Sequence, residues 1–151
     1  MNIYIASDHA GYQLKEHIKL FLNENRFKYI DVGTHSNKSV NWAEYGAKAA
    51  KDVSENYQNS IGIIICGSGI GMSIVSNKFK NIRAALCRDK NDAEMARKHN
   101  NANILNLGER VTETKDAIAI VKVFLNTEFE GGRHQERLDY LQNVIEENNF
   151  V

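Results

Sequence analysis

The chain of 151 residues has no proline and only two cysteines. It carries no excess charge of either sign, with 19 Lys plus Arg against 19 Asp plus Glu. Balanced charge excludes the broad basic surface that general nucleic-acid or anionic-membrane binding needs, although a local basic site stays open. Cys66 and Cys87 form no CxxC pair, so a disulfide framework is not expected. The histidines lack metal-ligand spacing to cysteines or carboxylates, so no metal is expected. No apolar run approaches the roughly 18 residues of a membrane span. The longest, at 117–125, is broken by Lys122. No basic stretch followed by an apolar run precedes the first strand-like segment. A secretory signal is therefore not expected, and a cytoplasmic location is.

What is present is ordinary for one globular domain: 42% hydrophobic and 25% charged residues. The length is enough to bury a proper core. Strand-like and helix-like segments alternate throughout. Strands are predicted at Asn2–Ser7, 27–32, 61–66, 83–87 and 103–107. Helices are predicted at 11–25, Trp42–Glu55, inside 69–78, near 91–99, at Thr114–Asn126 and at about 135–148. Strands alternating with helices imply a single domain over 1–151: a three-layer α/β/α sandwich around a five-stranded parallel sheet, flavodoxin-like. Ligands bind such sheets outside the carboxyl ends of the strands. The loops at 7–11, 33–41, 66–71, 88–92 and 108–110 are thereby marked.

The first candidate is Cys66-Gly67-Ser68-Gly69-Ile70-Gly71, between a buried strand and a helix. Gly67, Gly69 and Gly71 let the backbone approach a ligand and aim N–H groups at one small space. A helix N-terminus favours the thiolate of a cysteine beside it. The same amides can hold an oxyanion, where one donor contributes about 2.7–4 kcal/mol to a transition state. A cysteine closing an apolar strand is also an ordinary small core residue, and Cys87, without glycines, is read as one. A dinucleotide fingerprint fails, because its third glycine would fall at Met72.

Three more segments stand out. In Ser7-Asp8-His9-Ala10-Gly11, Asp8 and His9 suit proton transfer or hydroxyl and phosphate binding, or Ser7 and Asp8 simply cap a helix. In His99-Asn100-Asn101, His99 is an acid–base group or a helix-terminal histidine meeting the dipole. In Gly131-Gly132-Arg133-His134-Gln135-Glu136-Arg137, the residues Arg133, His134 and Arg137 place cations at a helix start, where they oppose the dipole. An anion such as phosphate would resolve this, as would a solvated patch paired with Glu130 and Glu136.

As an ordered set these segments resemble the type B ribose-5-phosphate isomerase family, which is similar to the galactose-6-phosphate isomerase subunits. The likeness extends to Ser76-Asn77-Lys78, Ile82-Arg83-Ala84 and Leu107-Gly108-Glu109-Arg110, and spans nearly the whole chain. It implies isomerisation of ribose 5-phosphate to ribulose 5-phosphate through a cis-enediolate, with Cys66 as base and Ser68 assisting. Amides near Gly67, Gly69 and Gly71 would hold the enediolate. Asp8 and His99 would open the furanose ring, and Asn100 would bind near the reacting end. His9, Arg110, Arg133, His134 and Arg137 would surround the phosphate.

The resemblance further implies a homodimer or tetramer of this chain, with the last helix (about 134–148) packed on a partner subunit. No cofactor or metal, no nucleic acid and no membrane is implied. One departure is plain: the family commonly has Asp-Tyr-Pro where Asn41-Trp42-Ala43 stands here. Trp42 is expected to line the pocket, and a six-carbon sugar phosphate such as allose or galactose 6-phosphate stays open as substrate. A non-catalytic phosphosugar-binding subunit is the reading from another class.

Overall fold

The computed structural model describes residues 1–147. Its strands are β1 (Asn2–Ser7), β2 (Tyr29–Gly33), β3 (Ser60–Cys66), β4 (Ala84–Leu86) and β5 (Ile104–Gly108). They form one parallel sheet in the order β2-β1-β3-β5-β4. The helices are α1 (Tyr12–Glu24), α2 (Trp42–Glu55), α3 (Ile70–Ser76), α4 (Lys90–Asn100), α5 (Thr114–Asn126) and α6 (Arg133–Tyr140). Successive strand side chains point to opposite faces. Accordingly Ile61, Ile63 and Ile65 of β3 pack with Leu14, Ile18 and Phe124 beneath α1, α4 and α5. Ile64 and Cys66 pack on the other face with Ala49, Val53 and Met72 of α2 and α3. The three-layer α/β/α sandwich is as expected.

Chain order did not reveal that β5 sits between β3 and β4. Burial explains the exchange. Every residue of β5 is buried, so it needs a neighbour on each side. The three residues of β4 are only partly buried and suit an edge. On the other side of the sheet, β1 leads to β2 in one direction and β3 lies in the other. The carboxyl ends of β1 and β3 therefore flank a topological switch point, where such sheets bind ligands.

Two element starts differ from expectation by two residues. Strand β2 starts at Tyr29, because Arg26 adopts a left-handed φ of 61° and the Phe27 N–H donates to Leu22 O, which closes α1. The last helix begins at Arg133, then widens into a π-helical turn at Leu141–Glu146. Asn148, its expected end, lies outside the described residues. No helix among the described residues is long and apolar enough to cross a membrane.

Lys15 of α1 is fully buried, and its Nζ donates to Asp31 Oδ1 and Thr34 O, each at 2.6 Å. Lys19 reaches Asp31 Oδ2 at 2.8 Å. Burial pulls the Lys15 ammonium below the usual lysine range, against the pull of Asp31. Burial also works against an ionised Asp31, but hydrogen bonds from Lys15, Lys19 and the Gly33 N–H outweigh it and hold the carboxyl below its usual range. A carboxyl lowered in the folded state stabilises above the ordinary carboxylate range, and that contribution is lost as pH falls through the lowered value. Asp31→Ala would strand a buried lysine, a change that costs about 3–5 kcal/mol. Thermal melts near neutral pH should show the variant lower by on the order of 10 °C, with the gap narrowing in acid. A gap independent of pH would contradict this role for Asp31.

Candidate active site

Cys66 is the last residue of β3 and is 6% exposed, facing the α2 and α3 side of the sheet. The chain turns at once into α3 through Gly69, whose φ of 79° is left-handed. A Cβ on Gly69 would stand 2.5 Å from Leu86 Cδ1 and 3.0 Å from Leu107 C, so only glycine fits. The Gly69 N–H then donates to Cys66 Sγ at 3.2 Å, which sets a backbone donor beside the sulfur. Ser68 is exposed, and its Oγ accepts the Ile70 N–H at 3.2 Å. Other amides of the first turn of α3 have no acceptor within the helix.

The loop after β5 clasps this turn. Glu109 N–H donates to Cys66 O and Arg110 N–H to Gly67 O, both at 2.9 Å. A Cβ on Gly67 would lie 3.2 Å from Arg110 Nη1, so the glycine lets the guanidinium lie over the loop. Glu109 Oε1 also accepts the Leu14 N–H at 3.0 Å, which caps α1 from a distant loop. Burial raises the Glu109 carboxyl above its usual range. On the other flank, Asp8 is buried and its Oδ1 accepts the Gly11 N–H at 3.0 Å. Asp8 thus does form a helix-start turn, and the same residue also lines the cleft. His9 Nδ1 accepts the Val40 N–H at 3.1 Å, which leaves Nε2 to carry the ring proton.

These groups surround a cleft of about 720 Å³ lined by Asp8, His9, Cys66, Gly67, Ser68, Gly71 and Arg110. Trp42 lines it too, as expected; a Cβ on Gly71 would stand 3.0 Å from the Trp42 ring. Around the mouth Ile70, Ile74 and Val111 are exposed apolar residues; Ile70 lies in the glycine-rich motif, whereas no sequence signal marked Ile74 or Val111 as part of a site.

The remaining candidates form a second group. Strand β4 leads into α4 at the carboxyl edge of the sheet, and α4 returns to the amino edge where β5 begins. His99 and Asn100, at the end of α4, therefore lie at the edge opposite Cys66. The His99 and His134 rings stack at 4.3 Å between centroids and 16° between planes. Burial lowers His134 below the usual histidine range, and His99 and Arg133 beside it lower it further. Arg137 N–H donates to Arg133 O at 2.5 Å. Asn100 and Arg137 also line a groove of about 600 Å³ with Ile82, Leu138, Leu141 and Ile145. One chain thus brings Asp8, His9, Cys66, Gly67, Ser68, Gly69, Gly71 and Arg110 together. It holds His99, Asn100, Arg133, His134 and Arg137 apart from them.

The first group has a thiol beside backbone donors, a carboxylate, an imidazole and a guanidinium in one cleft. That set suits proton transfer next to a carbonyl of an anionic substrate.

Comparison with known proteins agrees in sequence and shape. The family described as Ribose/Galactose Isomerase matches residues 3–141. The chain is 37% identical to ribose-5-phosphate isomerase B of Escherichia coli, over 97% of this chain and 98% of that protein. The ribose-5-phosphate isomerase B structure of Clostridium thermocellum superposes with a TM-score of 0.93 at 44% identity, covering 98% of this chain and 99% of that one. The Mycoplasma genitalium enzyme, solved with bound ribulose-5-phosphate, has a TM-score of 0.93 at 38% identity, covering 97% of both chains. Sequence, fold and the cleft at the switch point converge: this chain belongs to the ribose/galactose isomerase family.

Proposed function

We propose that the chain interconverts ribose 5-phosphate and ribulose 5-phosphate, with Cys66 as the proton-transferring group. The observation that carries this reading is the Cys66 sulfur, 3.2 Å from the Gly69 N–H at the start of a helix and inside a cleft. As a thiolate, Cys66 takes the C2 proton of the open-chain aldose. The electron pair forms the C1–C2 double bond and the aldehyde oxygen becomes anionic, giving a cis-enediolate. A proton moves from O2 to O1, the C2 carbonyl forms, and the Cys66 thiol returns its proton to C1. Amides of the loop at Gly67, Gly69 and Gly71 hold the negative oxygen, and Ser68 assists. Asp8 supports ring opening from within the same chain.

The sites are shared between two copies. His99 and Asn100 of one copy complete the Cys66 cleft of the other for ring opening and sugar binding. His9 and Arg110 hold the phosphate together with Arg133, His134 and Arg137 from the opposite copy. The apolar rim of Ile70, Ile74 and Val111, and the apolar groove along α6, are the surfaces that such a dimer covers. A cytoplasmic location fits a charged substrate that does not cross a bilayer unaided.

Proton NMR of ribose 5-phosphate with the protein in D2O tests the reading. Ribulose 5-phosphate should appear with deuterium entering at the carbons that exchange the proton. Turnover of allose or galactose 6-phosphate in its place would move the substrate to six carbons. Turnover of none of these would overturn the assignment as an isomerase.

A further inference from the structure

His99 lies at the end of α4, while Glu130 and His134 stand four residues apart further along the chain, and one ligand atom of each lies within 4.8 Å of the other two. Glu130 Oε2 is 3.7 Å from His134 Nε2 and 4.0 Å from His99 Nε2. The backbone builds this arrangement. The Glu130 N–H donates to Lys98 O at 3.1 Å, which pins Glu130 to the end of α4 beside His99. Gly131 and Gly132 then turn the chain at φ of 66° and 56°, and His134 comes back against Glu130. A Cβ on either glycine would meet nothing within 4 Å, so the left-handed backbone is what reserves those positions for glycine. The His134 side chain is 13% exposed, His99 37% and Glu130 50%, so the donors sit at the surface within reach of solvent ions.

We propose that His99, Glu130 and His134 bind a divalent ion of the zinc class, leaving a fourth position open to water. Two imidazoles and one carboxylate are a donor set that zinc uses with an open coordination position. Ligand bonds of about 2.0–2.2 Å in a tetrahedron put donors ~3.3–3.6 Å apart, so Glu130 moves only slightly to bind, while the stacked histidine rings swing apart until both ring planes meet at the ion. Calcium and magnesium, which prefer oxygen donors, are the wrong class. Resting on the role given above to His99 and His134, a bound ion excludes sugar phosphate and makes zinc a competitive inhibitor.

The test uses the full-length protein without substrate, so its failure and failure of the isomerase reading are distinguishable. Co2+ is added to wild type, Glu130→Gln and Cys66→Ser, and Zn2+ affinity is measured against a chromophoric chelator. Wild type and Cys66→Ser should show the visible absorption bands of tetrahedral cobalt and bind Zn2+ alike. Glu130→Gln should weaken Zn2+ at least about tenfold, the loss that even an outer-shell partner can cause. Glu130→Gln should also keep metal-free isomerase activity and lose sensitivity to zinc. Binding that depends on Cys66 but not on Glu130 would overturn the proposal, as would no binding at all.

Discussion

Replacing Cys66 with alanine is expected to lower turnover of ribose 5-phosphate by about 10²–10⁴-fold, the usual contribution of a positioned acid–base group. That corresponds to about 2.7–5.5 kcal/mol of transition-state stabilisation. Fold and substrate binding should survive. The change removes one buried sulfur and leaves the loop geometry to Gly69 and to the Glu109 and Arg110 amides. Cys87 is the built-in control. It is 1% exposed, and burial pushes its thiol up to about 12, with the carboxylates of Asp92 and Asp89 adding to the effect. Its sulfur lies 3.7 Å from Ala85 O. Cys87→Ala should leave the rate unchanged, and iodoacetamide should inactivate wild type by labelling Cys66 alone. Steady-state kinetics of the two variants decide the matter. Near-normal turnover in Cys66→Ala would remove Cys66 from the chemistry.

Mixing two inactive variants should restore activity if the sites are shared. Cys66→Ala lacks the base but keeps His99, and His99→Asn lacks the imidazole but keeps Cys66. In a mixed dimer one cleft has both intact groups and the other has neither. Random reassortment makes half the dimers mixed, each with one working site, so activity should reach about a quarter of wild type. Against parents reduced 10²-fold or more, that recovery is large. The variants would be co-expressed or unfolded and refolded together, and separately refolded controls would stay inactive. No recovery, with mixed dimers demonstrated by native mass spectrometry, would place His99 outside the shared site.

Sequence patterning reached the fold class and most element positions because the signals are local. The apolar run ending at Cys66 reads as a strand buried on both faces, and the helix at Trp42–Glu55 falls where its apolar stripe predicts. Strand order was out of reach. Whether β4 or β5 takes the edge depends on which is covered, and a short partly polar strand announces that only weakly. The buried Lys15 was equally hidden, since a lysine on an amphipathic helix reads as surface until Asp31 and Thr34 are seen to meet it. Motifs marked loops that the fold brings to one cleft, because glycines and a helix start leave local traces. Glu109 as a cap on α1 left none, since its partner, the Leu14 N–H, lies far away in the chain. Glu130 beside two histidines was missed for a related reason. Its four-residue spacing to His134 spans a glycine turn rather than a helical turn, and His99 arrives from α4.

With the site shared as proposed, the placement of Cys66 and His99 at opposite edges of one sheet would make catalysis a property of association. A lone chain would then carry every residue of the proposed site and complete none. Diluting the enzyme below its dimer dissociation constant should make the rate per chain fall with total protein, so the kinetic order in enzyme rises from one toward two. The cell would then set the flux not only by how many chains it makes but by whether they meet.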